Sequence, residues 1–188
     1  MSDLGFVGLG AIGGAIAERL LTQKHRLRVY DINADALTRL VDLGASNGQS
    51  CMELSAGCEI VFLSLPSPEV VEHVVLGQSG LLSQSKKLRY IVDLSTNSPQ
   101  LSRKISAAAE QVGVNYLDAP VSGGRAGAKK GTLSVMIGGS ASAFEAIKPI
   151  ILGLGANIFH VGPSGSGSLA KLVNNQIFLS TSIVVQEA

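Results

Sequence analysis

A lysine and an asparagine near the end of the chain have the spacing of two groups on one helix face. Lys171 and Asn175 follow Gly165 and Gly167 in a segment without proline, and positions four apart lie on the same side of a helix. Partial burial and the positive end of the helix dipole are both expected to lower the pKa of Lys171. We therefore predict Lys171 as a general acid or base. A lysine that extends to solvent along its apolar stem is the alternative interpretation.

A glycine-rich segment near the start of the chain has the spacing of a dinucleotide-binding loop. Gly8, Gly10 and Gly13 follow a short apolar run and open a segment with helical periodicity. The glycines permit a tight turn and close approach of a pyrophosphate, whose charge the helix N-terminus attracts. Asp31 ends the next predicted strand, where a carboxylate binds ribose hydroxyls and repels a 2′-phosphate. The pattern therefore favours NAD over NADP as the cofactor.

Two further predicted strands end beside this loop, at Leu65-Pro66 and Ser95-Thr96. Ligands of open α/β sheets bind outside the carboxyl ends of the strands. Ordinary strand-to-helix turns with Ser and Thr caps would explain these residues equally well. The predicted cofactor-binding residues are Gly8, Leu9, Gly10, Ala11, Ile12, Gly13, Asp31, Asn33, Leu65, Pro66 and Thr96.

A second glycine-rich segment, Ser122-Gly123-Gly124, offers a hydroxyl group and exposed backbone N–H groups. Such a nest suits a small carboxylate. A glycine-rich loop that binds no ligand is the alternative.

The order of the predicted elements indicates an α/β protein. Short apolar strands alternate with helical segments between residues 4 and 161, which predicts right-handed βαβ units and a Rossmann-type, doubly wound, mostly parallel sheet. We expect an NAD-binding domain over 1–162, then a linker and the first part of an interdomain helix over 163–188. The helix predicted over 168–188 is apolar on several sides, so we expect a helical C-terminal domain to pack against it.

Composition argues against several classes of protein. The 188 residues carry a net charge of +1 without a basic block, which does not favour a nucleic-acid partner. No apolar run approaches the roughly 18 residues of a membrane span. The two cysteines and three histidines lack metal-ligand spacing, so we expect no metal site. A cytoplasmic location is expected, with the mitochondrial matrix as the alternative.

Three motifs together resemble the β-hydroxyacid dehydrogenase family, of the 3-hydroxyisobutyrate dehydrogenase and tartronate semialdehyde reductase type. The family is more distantly similar to 6-phosphogluconate dehydrogenase. Residues 6–13 resemble its nucleotide loop, residues 118–124 its substrate motif and residues 165–175 its catalytic motif. Residues 93–96 also match, which implies that Thr96 lies near the nicotinamide ribose.

The resemblance implies reversible, NAD-dependent oxidation of a small β-hydroxy acid to its semialdehyde or keto acid. By the same resemblance Lys171 is the acid or base, Asn175 positions the substrate, and Ser122, Gly123 and Gly124 bind its carboxylate. It also implies a homodimer or homotetramer, formed through the last helix and the helical domain. Two alternatives remain open. One is a non-catalytic NAD-binding module, and the other is an imine reductase-like enzyme, in which an acidic or aromatic residue and NADPH would be expected.

Overall fold

Short apolar runs become the strands of this protein because helices cover both faces of the sheet that they form. A computed structural model describes residues 2–187; Ala188, the last residue of the helix predicted from the sequence, lies outside them. The strands are β1 Asp3–Val7, β2 Arg26–Tyr30, β3 Ser46–Asn47, β4 Ile60–Leu63, β5 Tyr90–Asp93, β6 Asn115–Asp118, β7 Val121–Ser122, β8 Leu133–Gly138 and β9 Gly155–Gly162. The helices are α1 Ala11–Thr22, α2 Ala34–Asp42, α3 Cys51–Gly57, α4 Pro68–Leu76, α5 Pro99–Gln111, α6 Gly124–Lys130, α7 Ala141–Ile151 and α8 Ser166–Glu187.

The strand order β3-β2-β1-β4-β5-β6-β8-β7, with β9 paired to β8, confirms the predicted mostly parallel, Rossmann-type sheet. Strands β1 to β6 pair in parallel. Strand β8 is antiparallel to β6 and β7, so the expectation of βαβ units throughout is wrong at this point. The short helix α6 connects β7 to its antiparallel neighbour β8, so the chain does not make the crossover that a parallel pair would need.

Alternate residues of the central strands serve two separate cores. In β4, Phe62 packs in one cluster and stacks on Phe6, with ring centroids 6.0 Å apart. Val61 and Leu63 point to the opposite face, into the second cluster. This alternation follows from the two-residue period of a strand. The parallel pairing places the carboxyl ends of β1, β4 and β5 side by side at one edge of the sheet, where the candidate site lies.

Short polar side chains set the start of most helices. Asn33, Ser50, Ser67, Ser98 and Ser140 each accept a hydrogen bond from the backbone N–H three residues further on. Asn33 and Ser98 thus act as the N-caps of α2 and α5. The helices α3 and α6 were not predicted, and residues 124–130 form a helix where a glycine-rich loop was expected.

The final helix, α8, is joined to the sheet only through its first turns. Gly167 and Ser168 are buried, and the Oγ atoms of Ser168 and Ser102 of α5 are 2.8 Å apart. Further along, large apolar side chains are exposed, namely Leu169, Leu172, Val173, Ile177, Phe178, Leu179, Ile183, Val184 and Val185. Between residues 2 and 187 no helix combines the length and apolar character needed to cross a membrane.

Candidate active site

The carboxyl ends of β1, β2 and β4 enclose a cleft of about 620 Å³. Most of the predicted cofactor-binding residues line it: Gly8, Gly10, Ala11, Ile12, Gly13, Asp31, Asn33, Leu65 and Pro66. The two that do not are Leu9, whose side chain is buried in the core, and Thr96, which is exposed. The fold therefore brings three separate segments of the sequence into one concave surface.

The three glycines of the loop are required for different reasons. Gly8 has φ +92°, and a Cβ there would collide with the carbonyl oxygen of Ser64. A Cβ at Gly13 would collide with the carbonyl oxygen of Gly8. At Gly10, by contrast, a Cβ would meet nothing within 4 Å, so this glycine keeps open space above the loop. Gly8 and Gly13 are thus required by the backbone packing of the fold, whereas Gly10 leaves space in the cleft.

The helix α1 begins in this cleft with its N-terminus uncapped. Its N-cap, Gly10, offers no side-chain acceptor, and the first turn contains no acidic residue. In the described chain, only α6 shares this lack of a side-chain cap among the helices whose N-cap is assigned. The free N–H groups and the helix dipole fit an anionic group such as a pyrophosphate.

Asp31 ties the loop to the end of β2. Its Oδ2 accepts a hydrogen bond from the Leu9 backbone N–H, and its Oδ1 accepts one from the Asn33 N–H at 2.8 Å. Each carboxylate oxygen has a second lone pair, so Asp31 can also accept hydrogen bonds from hydroxyl groups in the cleft. A second negative charge beside it would be repelled.

Sequence reasoning missed the apolar walls of the cleft. Ile32 is 95% exposed beside Asp31, and Val70 and Val74 of α4 line the other side. In the sequence, the available signal was an isoleucine directly after Asp31, at the end of a predicted strand. These side chains offer apolar contact to a flat ring.

The loop that carries Thr96 is held by a buried carboxylate. Asp93, at the end of β5, accepts hydrogen bonds from the Ser95 N–H at 3.0 Å, the Tyr116 hydroxyl at 2.7 Å and the Asn97 side-chain amide. Burial raises the pKa of Asp93 to about 6, in spite of these donors. Ser95 Oγ accepts a hydrogen bond from the Leu65 N–H at 2.9 Å, which joins this loop to the cofactor cleft.

A second strand-end carboxylate holds the start of α8. Asp118 Oδ1 accepts a hydrogen bond from the Gly165 N–H at 2.8 Å, and Oδ2 accepts one from the Ser168 N–H at 2.7 Å. Asp118 is buried, and a Cβ at Gly138 would crowd its carboxylate. The sequence motif contained Asp118, but its role as a helix cap was not predicted because its partners are distant in the sequence.

Lys171 lies on α8, in the turn after the one that Asp118 holds. Its side chain is half-buried, and this burial lowers the pKa of the amine, in the direction that the sequence predicted. Its apolar neighbours Leu169, Leu172 and Val173 are themselves exposed.

Of the predicted substrate residues, Ser122 lies on β7, beside β8. Ser122 pairs with Ser134 of β8, and α8 packs on the same strand. Gly123 and Gly124 are exposed and have φ angles of +123° and +60°. Among residues 2–187 no group of three or more His, Cys, Asp or Glu side chains is arranged to hold a metal ion.

Comparison with known proteins agrees with this geometry. Residues 3–162 match the family described as the NAD binding domain of 6-phosphogluconate dehydrogenase. The chain belongs to this NAD-binding family. The resemblance that the motifs indicated is thereby confirmed.

Within this NAD-binding family the chain has relatives of known name. It is 41% identical over 177 residues to 3-hydroxyisobutyrate dehydrogenase of Pseudomonas aeruginosa, covering 94% of this chain and 59% of the relative. It is 40% identical over 186 residues to 2-hydroxy-3-oxopropionate reductase of Escherichia coli K12, covering 98% of this chain and 63% of the relative. The chain thus spans about 60% of the length of these curated relatives.

A solved structure of a family member has the same fold. The structure of Mycobacterium tuberculosis 3-hydroxyisobutyrate dehydrogenase with L-serine matches this chain with a TM-score of 0.91 at 32% identity. The match covers all of this chain and 63% of that one.

Proposed function

We propose that this chain binds NAD and provides the catalytic lysine of a β-hydroxyacid dehydrogenase. The observation that carries the proposal is the cleft in which an uncapped helix N-terminus, the open space at Gly10 and the carboxylate of Asp31 converge. The first two suit a pyrophosphate. Asp31 favours NAD over NADP, because a 2′-phosphate would lie beside its negative charge.

The substrate class follows from the names of several relatives. They include a 3-hydroxyisobutyrate dehydrogenase, an NAD-dependent L-serine dehydrogenase and a 2-(hydroxymethyl)glutarate dehydrogenase. Each of these names describes a carboxylate with a hydroxyl group on the β-carbon. We extend this class to the present chain, with Ser122, Gly123 and Gly124 as the groups that bind the carboxylate through backbone N–H groups.

Lys171 is proposed to move the proton of the reaction. Bound NAD supplies the acceptor for the hydride that leaves the carbinol carbon. The neutral Lys171 amine takes the hydroxyl proton in oxidation and returns it in reduction. Burial raises the fraction of neutral amine, and Asn175, one turn further along α8, is proposed to position the substrate. A positioned acid or base typically contributes about 10²–10⁴-fold to the rate.

The experiment compares K171A with K148A, a lysine on the exposed side of α7. Calorimetric titration measures the binding of NAD and NADP. Turnover is measured with a panel of β-hydroxy acids, on a protein in which the chain is joined to a helical C-terminal domain. We expect K171A to lose turnover by about 10²–10⁴-fold while NAD affinity is unchanged, and K148A to change neither. Turnover of K171A within a few-fold of wild type would refute the role of the lysine, whereas absence of NAD binding to the wild type would refute the cofactor site.

The exposed apolar side chains of α8 support a further part of the proposal. We infer that a helical domain, and a second copy of the protein, cover this helix, with the boundary of the NAD-binding domain at residue 162. We propose that the protein is cytoplasmic and has no nucleic-acid or membrane partner. Sedimentation analysis of the chain with and without such a domain tests the assembly.

A further inference from the structure

A second cavity, of about 300 Å³, lies at the opposite edge of the sheet from the cofactor cleft. It is formed at the amino ends of β1 and β2. Three cationic side chains line it, those of Arg26, Arg28 and Lys87, together with the single carboxylate of Asp3. Net positive lining at a concave surface attracts anions.

The fold creates this cluster from residues that are separated in the sequence. Arg26 and Arg28 lie on one face of β2 because side chains two apart point the same way. Lys87 approaches from the segment that leads into β5. In the sequence only the pair Lys86-Lys87 is visible, which explains why no basic patch was predicted.

Asp3 contacts two of the three cations and only partly offsets their charge. Its Oδ1 is 2.6 Å from Arg26 Nε, and its Oδ2 accepts a hydrogen bond from Lys87 Nζ at 2.8 Å. The Lys87 amine also donates to the Gly57 carbonyl oxygen at 3.2 Å. The hydrogen bond from Lys87 lowers the pKa of Asp3, so the carboxylate stays ionised and keeps both cations at the cavity.

Arg28 has a place shaped for its guanidinium. A Cβ at Gly57 would collide with Arg28 Nη1, and a Cβ at Gly48 would lie 3.1 Å from Arg28 Cγ. Its one ionic contact, to Glu53, is long at 3.4 Å. Most N–H groups of both guanidinium groups therefore remain available to a ligand, since each group has five.

We propose that this cavity, lined by Arg26, Arg28 and Lys87, binds a phosphate group, either as inorganic phosphate or as a small phosphate monoester. Guanidinium groups match two phosphate oxygens at once, and an ammonium group adds a point charge. The site lies at the other edge of the sheet, so it does not depend on NAD binding or on the dehydrogenase activity.

The test is a residue-resolved NMR titration of the 188-residue chain at constant ionic strength. Inorganic phosphate and glycerol 3-phosphate are the two ligands, and sodium chloride balances the salt. We expect saturable shifts at the Gly57 and Cys58 amides and the Arg28 side-chain N–H groups. Amides of residues 8–13 report separately any phosphate that binds at α1. Tighter binding of glycerol 3-phosphate than of inorganic phosphate would identify a site for phosphate monoesters. Equal affinity for the two ligands would show that the site recognises the phosphate group alone.

Three variants decide whether the site is specific. R28Q and K87Q should each weaken binding about tenfold or more, because each removes charge-assisted hydrogen bonds. K86Q, which removes the neighbouring lysine outside the cavity, should change the affinity less than about twofold. R28Q leaves the contacts of Asp3 with Arg26 and Lys87 intact. Shifts that chloride reproduces, absence of saturation, or equal losses in K86Q and R28Q would overturn the proposal.

Discussion

The two edges of the sheet use charge in opposite ways. At the carboxyl edge the carboxylates of Asp93 and Asp118 are buried and accept hydrogen bonds from backbone N–H groups. At the amino edge Asp3 contacts exposed side chains, those of Arg26 and Lys87. Buried carboxylates fix the backbone in one arrangement, whereas exposed ion pairs contribute little rigidity and are screened by salt. The carboxyl edge of the sheet is therefore built for fixed geometry, and the amino edge for electrostatic potential.

The largest expected effect tests the geometry of the carboxyl edge. G13A forces a Cβ against the Gly8 carbonyl oxygen, and we expect it to lower the free energy of unfolding by about 3 kcal/mol or more. G10A is the matched control, since its Cβ meets nothing; its stability should stay within about 1 kcal/mol of wild type. Urea denaturation measures stability, and calorimetry should show that G10A nevertheless weakens NAD binding. Equal stability of the two variants would contradict the different roles of these glycines.

The next effect depends on pH. Because the pKa of Asp93 is raised to about 6, the folded state binds this proton more tightly than the unfolded state. Stability from this group is therefore present below about pH 4 and is lost as the pH rises to about 6, by at most about 3 kcal/mol. In D93N the side chain does not titrate, so this pH-dependent loss of stability is absent. Altered hydrogen bonding in D93N shifts the free energy of unfolding by the same amount at every pH. Unfolding of both proteins between pH 4 and 7 should give different slopes, and parallel curves would refute the raised pKa.

A smaller effect is expected at Asp118. D118A leaves the Gly165 and Ser168 N–H groups without their acceptor, but it also relieves the cost of a buried charge. We expect a loss of about 2 kcal/mol and faster hydrogen exchange at these two amides. D42N, at an exposed position, is the control. Unchanged exchange at both amides would show that Asp118 does not hold α8.

The smallest effect belongs to the amino edge. R26Q breaks an exposed ion pair with Asp3, so its cost in unfolding free energy should be smaller than that of D118A and should shrink further in high salt. Thermal unfolding at low and high ionic strength measures it. A loss as large as that of D118A, insensitive to salt, would contradict the distinction between the two edges.

Local patterns in the sequence were sufficient to predict most strands of the sheet and most of the residues that line the cofactor cleft. The apolar run at residues 60–63, ended by Pro66, is typical of a buried strand. The spacing of Gly8, Gly10 and Gly13 after a strand is typical of a nucleotide-binding loop. The caps at Asn33 and Ser98 likewise depend on residues three positions away. Each of these features is encoded within a few residues, which is why the sequence alone predicts it.

Features that depend on distant residues were not predictable from one sequence. Strand β8 reverses direction because of where α6 packs, and no local signal at residues 124–130 specifies that. The cationic cavity joins Arg26 to Lys87, and the walls of the cleft join Ile32 to Val74. The roles of Lys171, Asn175, Ser122 and Thr96 remain predictions, since they depend on a substrate and a cofactor.

The two hydrogen bonds of Asp118 reach 47 and 50 residues along the chain. During synthesis on a ribosome, that carboxylate leaves the exit tunnel long before its partners do. Until then the carboxylate lacks these two donors, and burying it without them costs more than leaving it in water. Full burial of Asp118 is therefore expected only after residues 165–168 have been synthesised.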